Sequence, residues 1–71
     1  MFKPGIYKHY KGKLYKAHFI AKHSETLEDM VVYEPSYKSE AKYWVRPLAM
    51  FMEEVAVEGK KVPRFEYIKE S

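Results

Sequence analysis

IYKHYKGKLYKAHFIA, residues Ile6–Ala21, reads as two β-strands around a tight turn. Pro4-Gly5 punctuates the start, and Ile6-Tyr7-Lys8-His9-Tyr10 is the first short strand. Lys11-Gly12-Lys13 supplies the turn, with Gly12 free to take a positive φ. Along Leu14–Ala21 a two-residue alternation places Tyr15, Ala17, Phe19 and Ala21 on one face, and Leu14, Lys16, His18 and Ile20 on the other. Two such runs predict an antiparallel hairpin, which sets the class of the chain.

Beyond the hairpin, Ser24–Asp29 interrupts the strand pattern. Thr26-Leu27-Glu28-Asp29 suits a capping-box-like turn, the Thr hydroxyl and Asp carboxylate serving backbone amides. Met30–Tyr33 is a strand that Pro35 ends, Tyr37–Lys42 is a polar loop, and Tyr43–Arg46 is a strand stopped by Pro47. Leu48–Glu54 is the one helix-like piece, long enough only for a 3₁₀ or single α-turn that packs Leu48 and Phe51 inward. Val55–Val57 and Val62 flank Glu58-Gly59-Lys60-Lys61 as a second hairpin, and Phe65–Ile68 is the last strand. The first four or five residues and Lys69–Ser71 are expected to be loose. Five or six short strands with one helical turn predict an all-β fold, a small barrel forming a single domain over residues 1–71.

A chain of 71 residues holds one core and buries about 60% of the surface it exposes when unfolded. Seven Tyr, four Phe and one Trp exceed what such a core needs, so some rings face solvent as contacts. Zero cysteines exclude a disulfide framework and a Cys-based zinc site. No run approaches about 18 apolar residues and Met1–Gly12 has no apolar signal segment, which predicts no membrane contact and a cytoplasmic chain. The net charge of +3 is unevenly placed: every charged side chain in Met1–His23 is lysine, while Glu25–Glu34 holds four acids and no base. A basic N-terminal third either follows phosphates or keeps a strand edge from pairing with copies of itself.

Four blocks, GIYKHYKG at Gly5–Gly12, KHSETLEDMVVY at Lys22–Tyr33, WVRPLAMF at Trp44–Phe51 and VEGKKVPRF at Val57–Phe65, resemble the DUF1653 family of small bacterial proteins. The resemblance runs from about Gly5 to Ile68, with the blocks in the family's order. It implies an SH3-like small β-barrel and carries no activity, because the family is a domain of unknown function. Glu34-Pro35-Ser36-Tyr37 departs from the less proline-marked segment expected in relatives, which bears on that loop and not on the fold.

Several constellations compete for a function. His23, Ser24, Glu25 and Thr26 share one polar loop, either a pocket for an anion or a turn that hydrogen-bonds its own amides. Catalysis by Ser24 with His23 is disfavoured, since neighbours on an extended chain point apart and no strained elbow exposes the serine. His9, His18 and His23 with Glu25 match no compact metal-ligand spacing, and neither metal nor cofactor is expected. Tyr7, Tyr10, Tyr15, Tyr33, Tyr43 and Trp44 interleave with Lys8, Lys11, Lys13, Lys16, Arg46 and Arg64, a pattern that suits stacked single-stranded bases or a proline-rich peptide. Trp44 and Arg46 share a strand face, so Arg46 either binds an anionic ligand or turns inward to pair with Glu25 or Glu28; Arg64 carries the same ambiguity. Met50, Phe51 and Met52 plug the core or form a partner patch. The reading is a non-catalytic binding module for single-stranded nucleic acid or another anion. The competing readings are a protein or peptide interaction module, a homodimer among its forms, and a small-molecule sensor or enzyme using His23, Ser24 and Glu25.

Overall fold

The computed structural model describes residues 2–71. Along the chain run β1 (Gly5–His9), β2 (Leu14–Lys22), β3 (Asp29–Pro35), β4 (Trp44–Pro47), α1 (Leu48–Phe51), β5 (Glu54–Val57), β6 (Lys60–Pro63) and β7 (Phe65–Lys69). The fold is all-β, with one helical turn. Five strands form an antiparallel sheet in the order β4-β3-β2-β1-β7, and β5–β6 is a separate two-stranded ribbon. This is seven described strands where five or six were expected, and the two sheets are not joined into a closed barrel. The main sheet curls instead: the Arg46 guanidinium on edge strand β4 lies 5.6 Å from the Phe65 ring centroid on the opposite edge strand, β7. Among the described residues no helix is long and apolar enough to cross a membrane.

Aromatic stacking fills the concave face. Phe51, delivered by α1 and fully buried, stacks on Phe65 with centroids 4.2 Å apart and meets Tyr7 edge-on at 5.0 Å. Tyr7, Ala17, Val31 and Tyr33 complete the buried cluster. Rings suit a domain this small, because each removes about 150–250 Å² from water. The Tyr7 hydroxyl donates to the Lys3 carbonyl, and burial pushes its pKa upward. Phe2 also stacks near Tyr7, so the N-terminal residues touch the core from Phe2 onward, and Met1 lies outside the described residues.

Two local features correct the strand reading. In β2, Ala17 stands opposite Tyr33 but Phe19 stands opposite Val32, which leaves His18 as an extra, unpaired residue. Such a bulge shifts the alternation by one. Phe19 therefore emerges on the convex face, 56% exposed, while Ile20 packs against the core. In the second hairpin the turn is Glu58-Gly59 alone, both at positive φ (51° and 81°), and Lys60-Lys61 belong to β6. Positive φ at both positions matches the strand twist, which tightens the turn to two residues.

Gly5 fits a close approach of β1 to β7. Its φ is +151°, and a Cβ there would stand 2.5 Å from the Lys69 carbonyl oxygen and 2.8 Å from the Tyr67 ring. Any side chain would force the two strands apart.

Candidate anion-binding site

The turn joining β2 to β3 satisfies its own polar groups. The His23 amide donates to the Glu28 carbonyl and the Leu27 amide to the His23 carbonyl, each at 2.9 Å. His23 Nδ1 accepts from the Glu25 amide at 3.1 Å and the Thr26 amide at 3.3 Å. Thr26 Oγ1 accepts from the Glu28 amide at 3.2 Å. Asp29 does not serve a backbone amide as expected; its carboxylate meets Lys22 Nζ at 2.7 Å. Leu27 sits at φ 63°, the strained residue that lets the turn close. Ser24 and Glu25 are exposed.

A different arrangement occupies the concave face near the end of β1. There His9, Tyr15, Phe65 and Arg46 come together from β1, β2, β7 and β4, and Arg64, at the β6–β7 junction, lies near enough for its charge to act on His9. Tyr15 is the hub: its ring lies 5.5 Å from Tyr33, 5.6 Å from Phe65, 5.9 Å from Tyr37 and 6.2 Å from His9. Its hydroxyl is hydrogen-bonded to that of Tyr37 at 3.0 Å. Burial first, then this bond, pushes the Tyr15 pKa up to about 12, against the pull of Arg46.

The two arginines, the only ones in the chain, are incompletely partnered. Arg64 Nη2 donates to Glu53 Oε1 at 2.9 Å, and its backbone is pinned by hydrogen bonds to Glu53 and Tyr10. Arg46 has no ion pair with any carboxylate among the described residues, and the inward brace to Glu25 or Glu28 does not form. The Nε atoms of both arginines are buried with no acceptor. An unmatched buried donor costs about 1–3 kcal/mol and calls for an explanation. A guanidinium held over an aromatic ring, away from bulk water, attracts an anion more strongly than one in solvent.

His9 adds a third donor. Its Nδ1 accepts the Lys11 amide at 3.2 Å, so the neutral ring carries its proton on Nε2. Burial, then the charges of Arg46, Arg64 and Lys11, lower its pKa. His18 takes another role, with Nε2 at 2.8 Å from Glu34 on the convex face, and among the described residues no cluster of three or more His, Cys, Asp or Glu could hold a metal.

The structure therefore divides the residues singled out from sequence into two places. His23, Ser24, Glu25 and Thr26 lie in the turn, and no hydrogen bond or ion pair among the described residues links them to the rest. Arg46 and Tyr33 lie on the concave face, where Tyr33 is buried at 6% exposure, and Arg64 pairs with Glu53 at the β6–β7 junction. Trp44 stands opposite Tyr33 in the β3–β4 register, 40% exposed, with Nε1 donating to Ser39 Oγ at 3.2 Å. His9, Phe65 and Tyr37 were not read from sequence as part of a binding surface. Strand parity would have found His9, which shares a face with Tyr7.

Comparison with known proteins bears on the fold. A family model described as a protein of unknown function (DUF1653) matches residues 5–67. The crystal structure of a protein belonging to that family from Bordetella bronchiseptica is similar to this chain, with a TM-score of 0.92 and 37% identity over 99% of this chain and 91% of that one. No curated protein matches.

Proposed function

The chain belongs to the DUF1653 family, which brings a fold and no activity, and from that premise we propose that it is a non-catalytic binding module for single-stranded nucleic acid. The observation that carries the reading is Arg46: a guanidinium over Phe65 with a buried, unmatched Nε and no carboxylate partner. The charges of Arg64 and Lys11 act with that of Arg46 on His9, and Lys11 and Lys13 lie over the rings of Tyr10 and Tyr37. Guanidinium donors take phosphate oxygens, and the exposed rings of Trp44, Tyr37 and Tyr10 offer faces for bases. The residues 1–71 act as one domain in this reading, in the cytoplasm.

Trp44, the only tryptophan, is the reporter. Titration with a single-stranded oligonucleotide is expected to change its fluorescence saturably, with affinity falling as salt rises. A response that is absent, or indifferent to salt, would remove the proposal.

One observation favours a second reading, a protein-interaction module. On the convex face Phe19, Val32 and Val45 are directly opposite one another across three strands, and Phe19 and Val45 are 56% and 58% exposed. This apolar row reaches the free edge of β4, where an antiparallel sheet ordinarily shows polar side chains. Sedimentation that finds a monomer at all concentrations, with no affinity for proline-rich peptides, would argue against it. The enzyme reading has no comparable support, because the Nδ1 of His23 already accepts two backbone amides.

A further inference from the structure

A depression of about 410 Å³ lies between the β1–β7 edge of the sheet and the β5–β6 ribbon; neither arginine lines it, and His9, which feels the charge of both, joins it to them. Tyr10 and His9 line it together with Val57, Val62 and Pro63. Lys8 and Glu66, opposite each other in the β1–β7 register, complete it. We propose that this depression receives one base of the nucleic acid while Arg46 and Arg64 hold the phosphate attached to it, so that the unit recognised is a single nucleotide. The inference rests on the anion-binding reading above and names what lies next to the anion.

His9 connects the two halves. Its ring meets Phe65 edge-on at 4.9 Å, beside Arg46, and lies 4.6 Å from the Tyr10 ring at an interplanar angle of 31°. The Tyr10 amide donates to the Arg64 carbonyl at 3.0 Å, which fixes the ring's strand end to the arginine's. Aromatic platform and cation are thus one mechanical unit.

The chemistry of the walls suits a base more than an aliphatic or purely ionic group. Tyr10 is 39% exposed, and the Lys11 ammonium stands 5.9 Å from its centroid. An exposed ring on one wall and small apolar side chains on the other can enclose a flat ring system. The Glu66 carboxylate and Lys8 ammonium supply an acceptor and a donor for a base's polar edge. The volume is near the lower end of pockets that hold small ligands, about 300–1,000 Å³, and so fits one nucleoside and not a run of bases.

Calorimetry on the full chain with inorganic phosphate, a nucleoside 5′-monophosphate and an acidic tyrosine-containing peptide tests this. The monophosphate is expected to bind about tenfold more tightly than phosphate, from one added stack. Tyr10→Ala should erase that advantage, and Tyr10→Trp should restore it. If phosphate binds and the monophosphate binds no better, or the peptide matches the monophosphate, the base site is overturned while the anion site stands. If neither phosphate nor the monophosphate binds, both readings fall together.

Discussion

The β2–β3 turn and the arginine cluster contain similar side chains in opposite states. In the turn, His23 and Thr26 accept amides from their own loop, and Lys22 closes on Asp29. In the cluster, Arg46 lies over Phe65 without a carboxylate, and the Nε atoms of Arg46 and Arg64 have no acceptor. A run of polar residues in sequence does not by itself mark a binding site. What separates the two regions is where each donor and acceptor finds its partner.

Truncations in the two regions should have opposite effects. Arg46→Ala is expected to lower oligonucleotide affinity the most, about 1.5–3 kcal/mol or roughly 10- to 150-fold, since hydrogen bonds to a charged group are lost. Its folding stability should fall by no more than about 1 kcal/mol, the worth of the contact with Phe65, because no carboxylate is left unpaired. Titration and urea unfolding of the same variant check both halves; a large stability loss would mean that Arg46 is a structural brace. His23→Ala should show the mirror image, a stability loss of about 1 kcal/mol by urea unfolding with affinity unchanged. If His23→Ala weakens binding as much as Arg46→Ala, the turn belongs to the site and the distinction collapses.

Smaller effects sharpen the contrast. Arg46→Gln should lower the slope of log affinity against log salt by about 0.7, the share of one phosphate contact on a single strand. The pH dependence follows from His9, whose folded pKa is lowered by burial and by Arg46, Arg64 and Lys11. As pH falls below about 6.5 the unfolded chain takes up the proton first, so stability declines from there down to the lowered folded value. A bound anion favours the protonated ring, and binding should therefore strengthen over the same window. His9→Gln, followed by thermal melts and titrations across that range, should flatten both trends.

Much of the fold was legible because strand alternation and turn residues are local signals. Tyr15 and Ala17 share the concave face as the alternation along Leu14–Ala21 predicts, and Leu48–Phe51 makes one α-turn with Phe51 as its core residue. The alternation failed at His18 because a bulge is a property of two paired strands, and nothing in LYKAHFIAK marks which residue will be left unpaired. Barrel closure was likewise out of reach, since whether edge strands hydrogen-bond depends on the curl of the whole sheet. The site was half legible. Arg46 and Arg64 stood out by residue type, but their meeting near His9 joins residues more than fifty positions apart. The missing carboxylate on Arg46 is a fact of three dimensions only.

Two arginines yield two side-chain Nε–Hε resonances, which makes nitrogen–proton NMR of this chain a direct test of the central claim. Adding a single-stranded oligonucleotide should shift both Nε–Hε signals, Arg46 more than Arg64, and leave the amides of Ser24–Thr26 in place. Signals that stay unmoved while the turn amides shift would contradict the account and return the site to the loop.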